Sequence, residues 1–265
     1  MSISNHSRIS FFISLILYSL FVTPSCSTRL FSGLDTSGAS VANAGEPGLS
    51  NHEYASRLKT DGWPVDFLNT ARDVSYLDDD EKNLILAHNL VRYDPRKFAL
   101  LYVTEYISYF RGNEFHYPGI ETIMITREGA VPAIDLYHEL LRTRPMGLLY
   151  PSEGLSLAAN LHVSYLTRLG IRGHGGQGGM HARIERFGIW DFKIGENISY
   201  GNFSAHDALL YMLIDDQVAD RSHRRIILTP EFRLAGIGKG KHPAYPTGYT
   251  FVINYAYHFT PHNNG

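Results

Sequence analysis

The order of two hydrophobic periodicities constrains the fold of this chain more than any other feature. Through most of its length, apolar residues recur at helical spacing, as in LILAHNLVRY at 84–93. After Pro230 the period changes to two, and apolar residues alternate through YTFVINY at 249–255. Helices that precede strands, with strand-like turns near Trp190 and Ile198, indicate an α+β domain with a small antiparallel sheet between helical layers.

Start signals place the individual helices. Asp78 followed by Glu81 marks the start of the first helix, and Asp94-Pro95 opens the second with a cap and a proline at the first helical position. Apolar spacing predicts three more helices, over 126–141, from Pro151-Ser152 through Leu166, and from Ser204 through Ile214.

Residues 1–26 have the pattern of an export signal. Arg8 precedes an apolar run, Ile9–Val22, that is too short for a membrane-spanning helix and is followed by small residues. The mature protein is therefore predicted to lie outside the cytoplasm. Cys26 stands where bacterial lipoprotein signals place their acylated cysteine. Two alternatives stay open, a lipid-anchored protein held to the membrane through Cys26 and a plainly secreted one.

The signal is followed by a predicted flexible tether and N-terminal extension at 27–77, and then by the folded domain at 78–260. With 44% hydrophobic residues among 265, the chain can bury a sizeable core. Its single cysteine allows no intrachain disulfide, so that core must hold the domain together. A net charge of −2 provides no broad basic face, which excludes nucleic acid as an expected partner.

A glycine-rich stretch that begins near His174 carries the candidate functional residues. Glycines around His174 make a poor helix or strand interior, so they predict a loop. Glu196 follows in a GEN motif, Asp215 lies at the end of a predicted helix, and His223 comes after it. If the fold brings the four together, two imidazoles and two carboxylates can hold a divalent metal ion or act as acid and base around a polarised water.

Motifs at five places resemble the CAP superfamily, which comprises cysteine-rich secretory proteins, antigen 5 and pathogenesis-related 1 proteins and whose domain is also called SCP. The motifs are GHGG at 173–176, GENISYG at 195–201, SHRR at 222–225, GIG at 236–238 and VINYA at 252–256. The resemblance extends from about Asp79 to His258 and is strongest to the cysteine-poor bacterial branch. It implies an α-β-α sandwich with a central cleft.

The resemblance also implies a cleft tetrad of two histidines and two acidic residues, able to bind a divalent ion such as zinc. His174 matches the first histidine, Glu196 the glutamate of GEN, and His223 the second histidine. The family often has glutamate at the fourth position, where this chain offers Asp215 or Asp216. Either side chain is one methylene shorter, which allows a longer hydrogen bond or an intervening water.

Three other histidines are interpreted as lying outside the tetrad. His88 and His162 are on the apolar faces of predicted helices and are expected to be core residues. His181 is close to His174 in sequence, but the Gly-His-Gly context favours His174.

Three functions remain open from the sequence. The preferred one is an exported CAP domain that binds a ligand in a metal-capable cleft, and the resemblance implies lipid, sterol or protein partners. The second is a zinc-dependent hydrolase in which Glu196 is the general base, with Asp215 as a further catalytic candidate. The third is a surface interaction protein with a vestigial cleft. The chain has no HExxH pair and no nucleophile elbow, so its motifs do not specify catalysis.

Two arginines next to the motifs have a predicted structural role. Because arginine keeps its charge and presents a rigid fork of donors, we expect Arg183 or Arg224 to pair with a carboxylate and to fix the cleft loops.

Overall fold

The computed structural model describes residues 46–118, 123–202 and 204–262, except for the side chain of Thr247. Its helices are α1 (Asn51–Thr60), α2 (Val65–Leu68), α3 (Asp79–Tyr93), α4 (Pro95–Phe98), α5 (Thr104–Ser108), α6 (Val131–Leu140), α7 (Glu153–Leu169), α8 (Gly179–Glu185), α9 (Ala205–Ile214) and α10 (Ser222–Ile227). Its strands are β1 (Phe110–Arg111), β2 (Glu114–Phe115), β3 (Met124–Ile125), β4 (Tyr150–Pro151), β5 (Gly188–Asn202), β6 (Leu234–His242) and β7 (Tyr245–Pro261).

The predicted signal, its cysteine Cys26 and most of the tether fall outside the described residues. Within the described parts of the chain, no helix is both long enough and apolar enough to cross a membrane.

The main sheet has the strand order β4-β6-β7-β5. Strand β7 pairs antiparallel with both β6 and β5, whereas the short β4 runs parallel to β6. The period-two pattern after Pro230 therefore predicts β6 and β7 correctly. Trp190 and Ile198, which indicated separate strand-like turns, belong to one continuous strand, because β5 extends over 15 residues.

Alternation along β7 produces the layered architecture. Phe251, Ile253 and Tyr255 belong to the larger core cluster, which also contains residues of α3 and α9. Val252 faces the opposite way and packs with Ala159, Val163 and Leu166 of α7. Successive side chains of a strand point to opposite faces, so one sheet buries two helical layers. The predicted α+β class, with its sheet between helices, is confirmed.

Helix α7 approaches strand β6 at backbone distance because β6 presents glycines to it. A Cβ atom on Gly236 would lie 2.2 Å from the backbone nitrogen of Ser156, and one on Gly238 would lie 2.6 Å from that of Asn160. The GIG motif thus marks the contact between this strand and the helix behind it.

The helix starts agree closely with the sequence signals. A capping box of Asp78 and Glu81 opens α3, and Ser204 accepts a hydrogen bond from the backbone of Asp207 at the start of α9. Asp94 caps α4 as predicted, but the helix continues through a π-helical segment, Ala99–Val103, before α5.

The predicted helix over 126–141 is shorter than expected, since α6 begins at Val131. The five preceding residues form a turn in which Gly129 has a positive φ, and the backbone amides of Arg127 and Glu128 donate to Asp216 instead of to a helix. This turn follows a small antiparallel sheet, β1-β2-β3, which the sequence did not indicate.

The segment ahead of residue 78 contributes to the main core. Tyr54 and Leu58 of α1, Trp63 and Leu68 are all buried in the larger cluster. Helix α1 begins with a capping box of Ser50 and Glu53. The hydrophobic core therefore begins before the predicted start of the domain at residue 78.

Candidate functional site

His174 and Glu196 form the first pair of the predicted tetrad. Nδ1 of His174 lies 2.9 Å from Oε1 of Glu196. Glu196 is on β5 and its side chain is only 2% exposed, whereas that of His174, on the loop after α7, is 54% exposed. Because an ionised carboxylate only accepts, Nδ1 of His174 carries the shared proton and Nε2 remains available to solvent.

Arg183 of α8 joins this pair from inside the protein. Its Nη2 donates to both oxygens of Glu196, at 2.8 and 2.7 Å, and its side chain is fully buried. The other terminal nitrogen, Nη1, donates to the carbonyls of His174 and Gly176. One guanidinium therefore fixes both the carboxylate and the histidine loop, which confirms the predicted structural role of an arginine here.

Two further side chains hold the same loop. His162 is buried, and its Nε2 donates to the carbonyl of Gly173 at 3.0 Å, so the prediction of a core histidine is confirmed. The backbone amide of Gly173 donates to the hydroxyl of Tyr200 at 2.8 Å. Both the carbonyl and the amide of Gly173, next to His174, are thus hydrogen-bonded to side chains of the protein.

Opposing effects determine the pKa of Glu196. Burial by itself raises this pKa, but hydrogen bonds from His174 and Arg183, together with the charge of Arg183, outweigh it and hold the pKa below the ordinary value of 4.5. Glu196 therefore remains an anion that is already fully engaged by protein donors.

Asp215 and His223 form the second pair. Nδ1 of His223 lies 2.6 Å from Oδ1 of Asp215, and the backbone amide of His223 donates to Oδ2 at 2.9 Å. Asp215 ends α9 in the left-handed conformation, with φ of 60°, which aspartate tolerates better than most residues. The shorter acid thus contacts its histidine directly, and neither the longer bond nor the intervening water that the sequence allowed is present.

Arg224 stabilises the end of α9, immediately before Asp215. It donates to the carbonyls of Leu213, Ile214 and Pro132 and pairs with Glu139 at 2.9 Å. Like Arg183, it fixes main chain around the site, as predicted for the two arginines.

Asp216, the alternative tetrad acid, has a different role. Its carboxylate accepts from the backbone amides of Arg127 and Glu128 and therefore holds the turn before α6. Glu128 in turn forms a two-point ion pair with Arg221, with the shorter bond at 2.7 Å. The structure identifies Asp215, not Asp216, as the partner of His223.

A cavity of about 430 Å³ lies beside the second pair. Asp215 and His223 line it, whereas His174 and Glu196 are not among its lining residues. The small β1-β2-β3 sheet provides one wall through Phe110 and Phe115. The lining also includes three residues that sequence reasoning did not single out, Arg172, Tyr200 and Tyr245. Tyr200 is part of the GENISYG motif but was given no role there, and Arg172 and Tyr245 are 73 residues apart and share no motif.

The four predicted residues therefore come together as two histidine–carboxylate pairs. In each pair the carboxylate orients a ring nitrogen and leaves Nε2 free, an arrangement that also suits a metal-binding histidine. In the described parts of the chain, however, no three His, Cys, Asp or Glu side chains are grouped closely enough to hold a metal ion. The residues present do not fit a preorganised metal centre, since both carboxylates are occupied by protein donors.

His181 lies apart from both pairs. It is exposed and its ring packs edge-on against Trp190, with centroids 5.5 Å apart. His88 is buried and bonded at both ring nitrogens, to the carbonyl of Leu84 and the hydroxyl of Tyr255. Neither histidine belongs to the site, as the sequence indicated.

Chemically, His223 presents an accessible ring nitrogen to the cavity. The side chain of His223 is 24% exposed, and its described hydrogen bonds run to Asp215 through Nδ1. Its Nε2 can therefore donate a hydrogen bond to a ligand or accept one, in an orientation fixed by the aspartate.

Comparison with known proteins identifies the family of the chain. The sequence matches the family described as CAP, the cysteine-rich secretory protein family, over residues 85–255, which is more than half of the chain. No curated protein shows significant similarity. Among solved structures, an extracellular protein containing an SCP domain from Bacillus anthracis str. Ames is 19% identical, with a TM-score of 0.31. That match covers 47% of this chain and only 37% of the other, so the assignment depends on the sequence match. The chain belongs to the CAP family of cysteine-rich secretory proteins.

Proposed function

We propose that this chain is an extracytoplasmic CAP-domain protein that binds a small organic ligand in the cavity beside His223. The observation that carries the proposal is the cavity itself, because about 430 Å³ is within the range of small-molecule sites. Small-molecule sites combine apolar surface, which provides affinity, with a fixed polar group, which orients the ligand. This cavity has aromatic walls and a histidine oriented by Asp215.

Binding is favoured over hydrolysis because of the state of Glu196. A general base must be able to reach a water and take its proton. Both oxygens of Glu196 accept from the buried Arg183, and its lowered pKa makes it a weak base. The lipid, sterol and protein partners implied by the family resemblance remain predictions.

Weak binding of a divalent ion at the two histidines remains a prediction. With both carboxylates engaged, an ion such as zinc would be held through Nε2 of His174 or His223 and would keep most of its water. Zinc titration by calorimetry of the wild-type protein and of the His174→Ala, His223→Ala double variant tests this. Identical isotherms would exclude the two histidines as ligands.

Location outside the cytoplasm is supported by the apolar run at Ile9–Val22. Attachment to the membrane through Cys26 is a more specific prediction. It would require more than one acyl chain on the protein, because a single chain binds a membrane only weakly. Detergent phase partition of the wild-type protein and of Cys26→Ala tests it. If both proteins partition wholly into the aqueous phase, Cys26 is not lipidated.

The binding proposal is tested with two neutral aromatic probes, indole and 3-phenylpropionamide. We expect both probes to shift amide resonances of Ser199, Tyr200 and Val218 in ¹H–¹⁵N NMR spectra, because these residues line the cavity. Val218→Trp places a large ring on the wall and is expected to abolish the shifts. Ala219→Trp, on the next and exposed residue, is the matched control and should preserve them. Shifts absent from the wild type, or unchanged in Val218→Trp, would refute the proposal.

A further inference from the structure

Among the described residues that line the cavity beside His223 is an arginine without an ion-pair partner. Arg172 lines the cavity from the loop that follows α7. Its Nη1 donates to the hydroxyl of Tyr245 at 2.8 Å. No carboxylate in the described parts of the chain pairs with it. A guanidinium has five N–H donors, so most of those on Arg172 remain available to a ligand.

The two aspartates at the cavity already accept hydrogen bonds from the protein. Asp215 accepts from the ring and the backbone amide of His223, and Asp216 accepts from the backbone amides of Arg127 and Glu128. Their oxygens are therefore directed at protein donors. An anion that enters the cavity can reach free N–H donors on Arg172, whereas the carboxylate oxygens of Asp215 and Asp216 already accept from protein donors.

Two tyrosines complete the surroundings of Arg172. Because the hydroxyl of Tyr245 accepts from Arg172, its own proton is free to be donated to a ligand oxygen. The ring of Tyr200 lies 5.6 Å from that of Tyr245, and its hydroxyl is held by the amide of Gly173. The rest of the lining is mostly apolar, with Phe110, Phe115 and Ile198 among its residues.

We propose that the cavity is specific for a small organic carboxylate with an apolar or aromatic body, and that Arg172 and Tyr245 bind its carboxylate. The inference rests on the proposed binding function and names its ligand class. A planar guanidinium matches a carboxylate with two parallel hydrogen bonds. One cation and one hydroxyl also match a single negative charge, whereas a phosphate monoester dianion would leave part of its charge uncompensated.

Affinities for three probes of similar size separate the possibilities. The probes are 3-phenylpropionate, its neutral amide 3-phenylpropionamide, and phenyl phosphate, and binding is measured by NMR titration of the purified protein. Hydrogen bonds to charged groups are strong enough that we expect the carboxylate to bind at least about tenfold more tightly than the amide. Arg172→Gln should reduce that ratio to near one, because the carboxylate loses its cation whereas the amide loses only neutral hydrogen bonding.

Two further variants make the result specific. Arg168→Gln removes an exposed charge of α7 four residues earlier and should leave the ratio unchanged. Tyr245→Phe removes only a hydroxyl and should partly lower the ratio of carboxylate to amide affinity. This variant still tests the inference if Arg172→Gln folds poorly. Equal affinity for carboxylate and amide would overturn this inference while leaving the binding function intact. Tighter binding of phenyl phosphate would overturn the carboxylate assignment, and binding of none of the probes would overturn both proposals.

Discussion

Arg183 shows how one side chain fixes two parts of the site at once. It is fully buried, neutralises Glu196 with two hydrogen bonds, and holds the carbonyls of His174 and Gly176. The sequence could predict an arginine with a structural role because it lies beside the motifs. It could not identify the partner, because Glu196 is thirteen residues away on another element.

Replacing Arg183 with leucine is expected to destabilise the fold by about 3–5 kcal/mol, because it leaves the buried carboxylate of Glu196 without its cation. Urea unfolding measures the loss. Arg186→Leu is the control, since Arg186 is exposed three residues later and should change stability by no more than about 0.5 kcal/mol. Equal losses in the two variants would mean that the ion pair contributes nothing beyond surface charge.

Asp207 provides a test at the same scale with pH as the variable. Burial raises its pKa from 3.8 to about 6, against the opposing effect of hydrogen bonds from Ser204 and Tyr117. The folded state therefore binds more protons than the unfolded state between these values, and its stability falls as pH rises from about 4 to 6. His88 and His206, whose pKa values burial lowers to about 4, act in the opposite sense, so a variant must be compared with the wild type.

Asp207→Asn removes the titrating carboxyl. Relative to the wild type, the variant is expected to gain about 2 kcal/mol between pH 4 and pH 6.5, because most of the free energy of a shift of about two pKa units is lost over this range. Chemical unfolding across this range measures it, with the exposed Asp73→Asn as control for loss of a charge. A difference between variant and wild type that does not change with pH contradicts the assignment.

At the scale of elements, the sequence predicted where helices start and which segments are strands, but not how closely a helix and a strand pack in the fold. Asp78 and Glu81 give α3 its start because capping is local, within three residues. No local pattern showed why β6 needs its glycines. The reason is the close approach of the α7 backbone, which lies some eighty residues earlier in the chain. The β1-β2-β3 sheet was missed for a related reason, because its two-residue strands are too short to show a period.

Gly236→Ala tests the contact between α7 and β6. The added methyl group would lie 2.2 Å from backbone atoms of Leu155 and Ser156, and backbone cannot yield as a side chain end can. We expect a loss of about 1–3 kcal/mol in unfolding free energy. Gly175→Ala, where no heavy atom lies within 4 Å, should stay within about 1 kcal/mol of the wild type. A neutral Gly236→Ala variant would show that the helix and strand can separate without cost.

On the scale of the whole molecule, the core is larger than the predicted domain. Composition and the single cysteine correctly predicted that apolar packing must hold the fold, but the boundary at residue 78 left out α1 and α2. The pair Ser50 and Glu53 carried a capping-box signal for α1 that the glycine-rich sequence before it obscured. The site was predictable as a set of four residues through family-like motifs. Its division into two pairs, of which the second alone lines the cavity, depends on the complete fold.

Leu68→Ala tests whether this segment unfolds with the rest of the protein. Leu68 is fully buried in the main cluster, so we expect a loss of about 2–5 kcal/mol in a single cooperative transition. Phe67→Ala is the neighbouring control, because its side chain is 59% exposed and should cost no more than about 1 kcal/mol. A separate early transition, or equal costs for both variants, would show that α1 and α2 are peripheral.

The glycine contact between β6 and α7 also has a mechanical consequence for the site. With main chain against main chain at Gly236 and Gly238, α7 has no compressible side chain layer in which to slide or roll. The helix ends at Gly170 in a left-handed turn, and the loop that carries Arg172 and His174 starts there. We therefore expect any displacement of these two side chains on ligand entry to arise from rotation about backbone and side-chain bonds within the loop, while α7 stays in place.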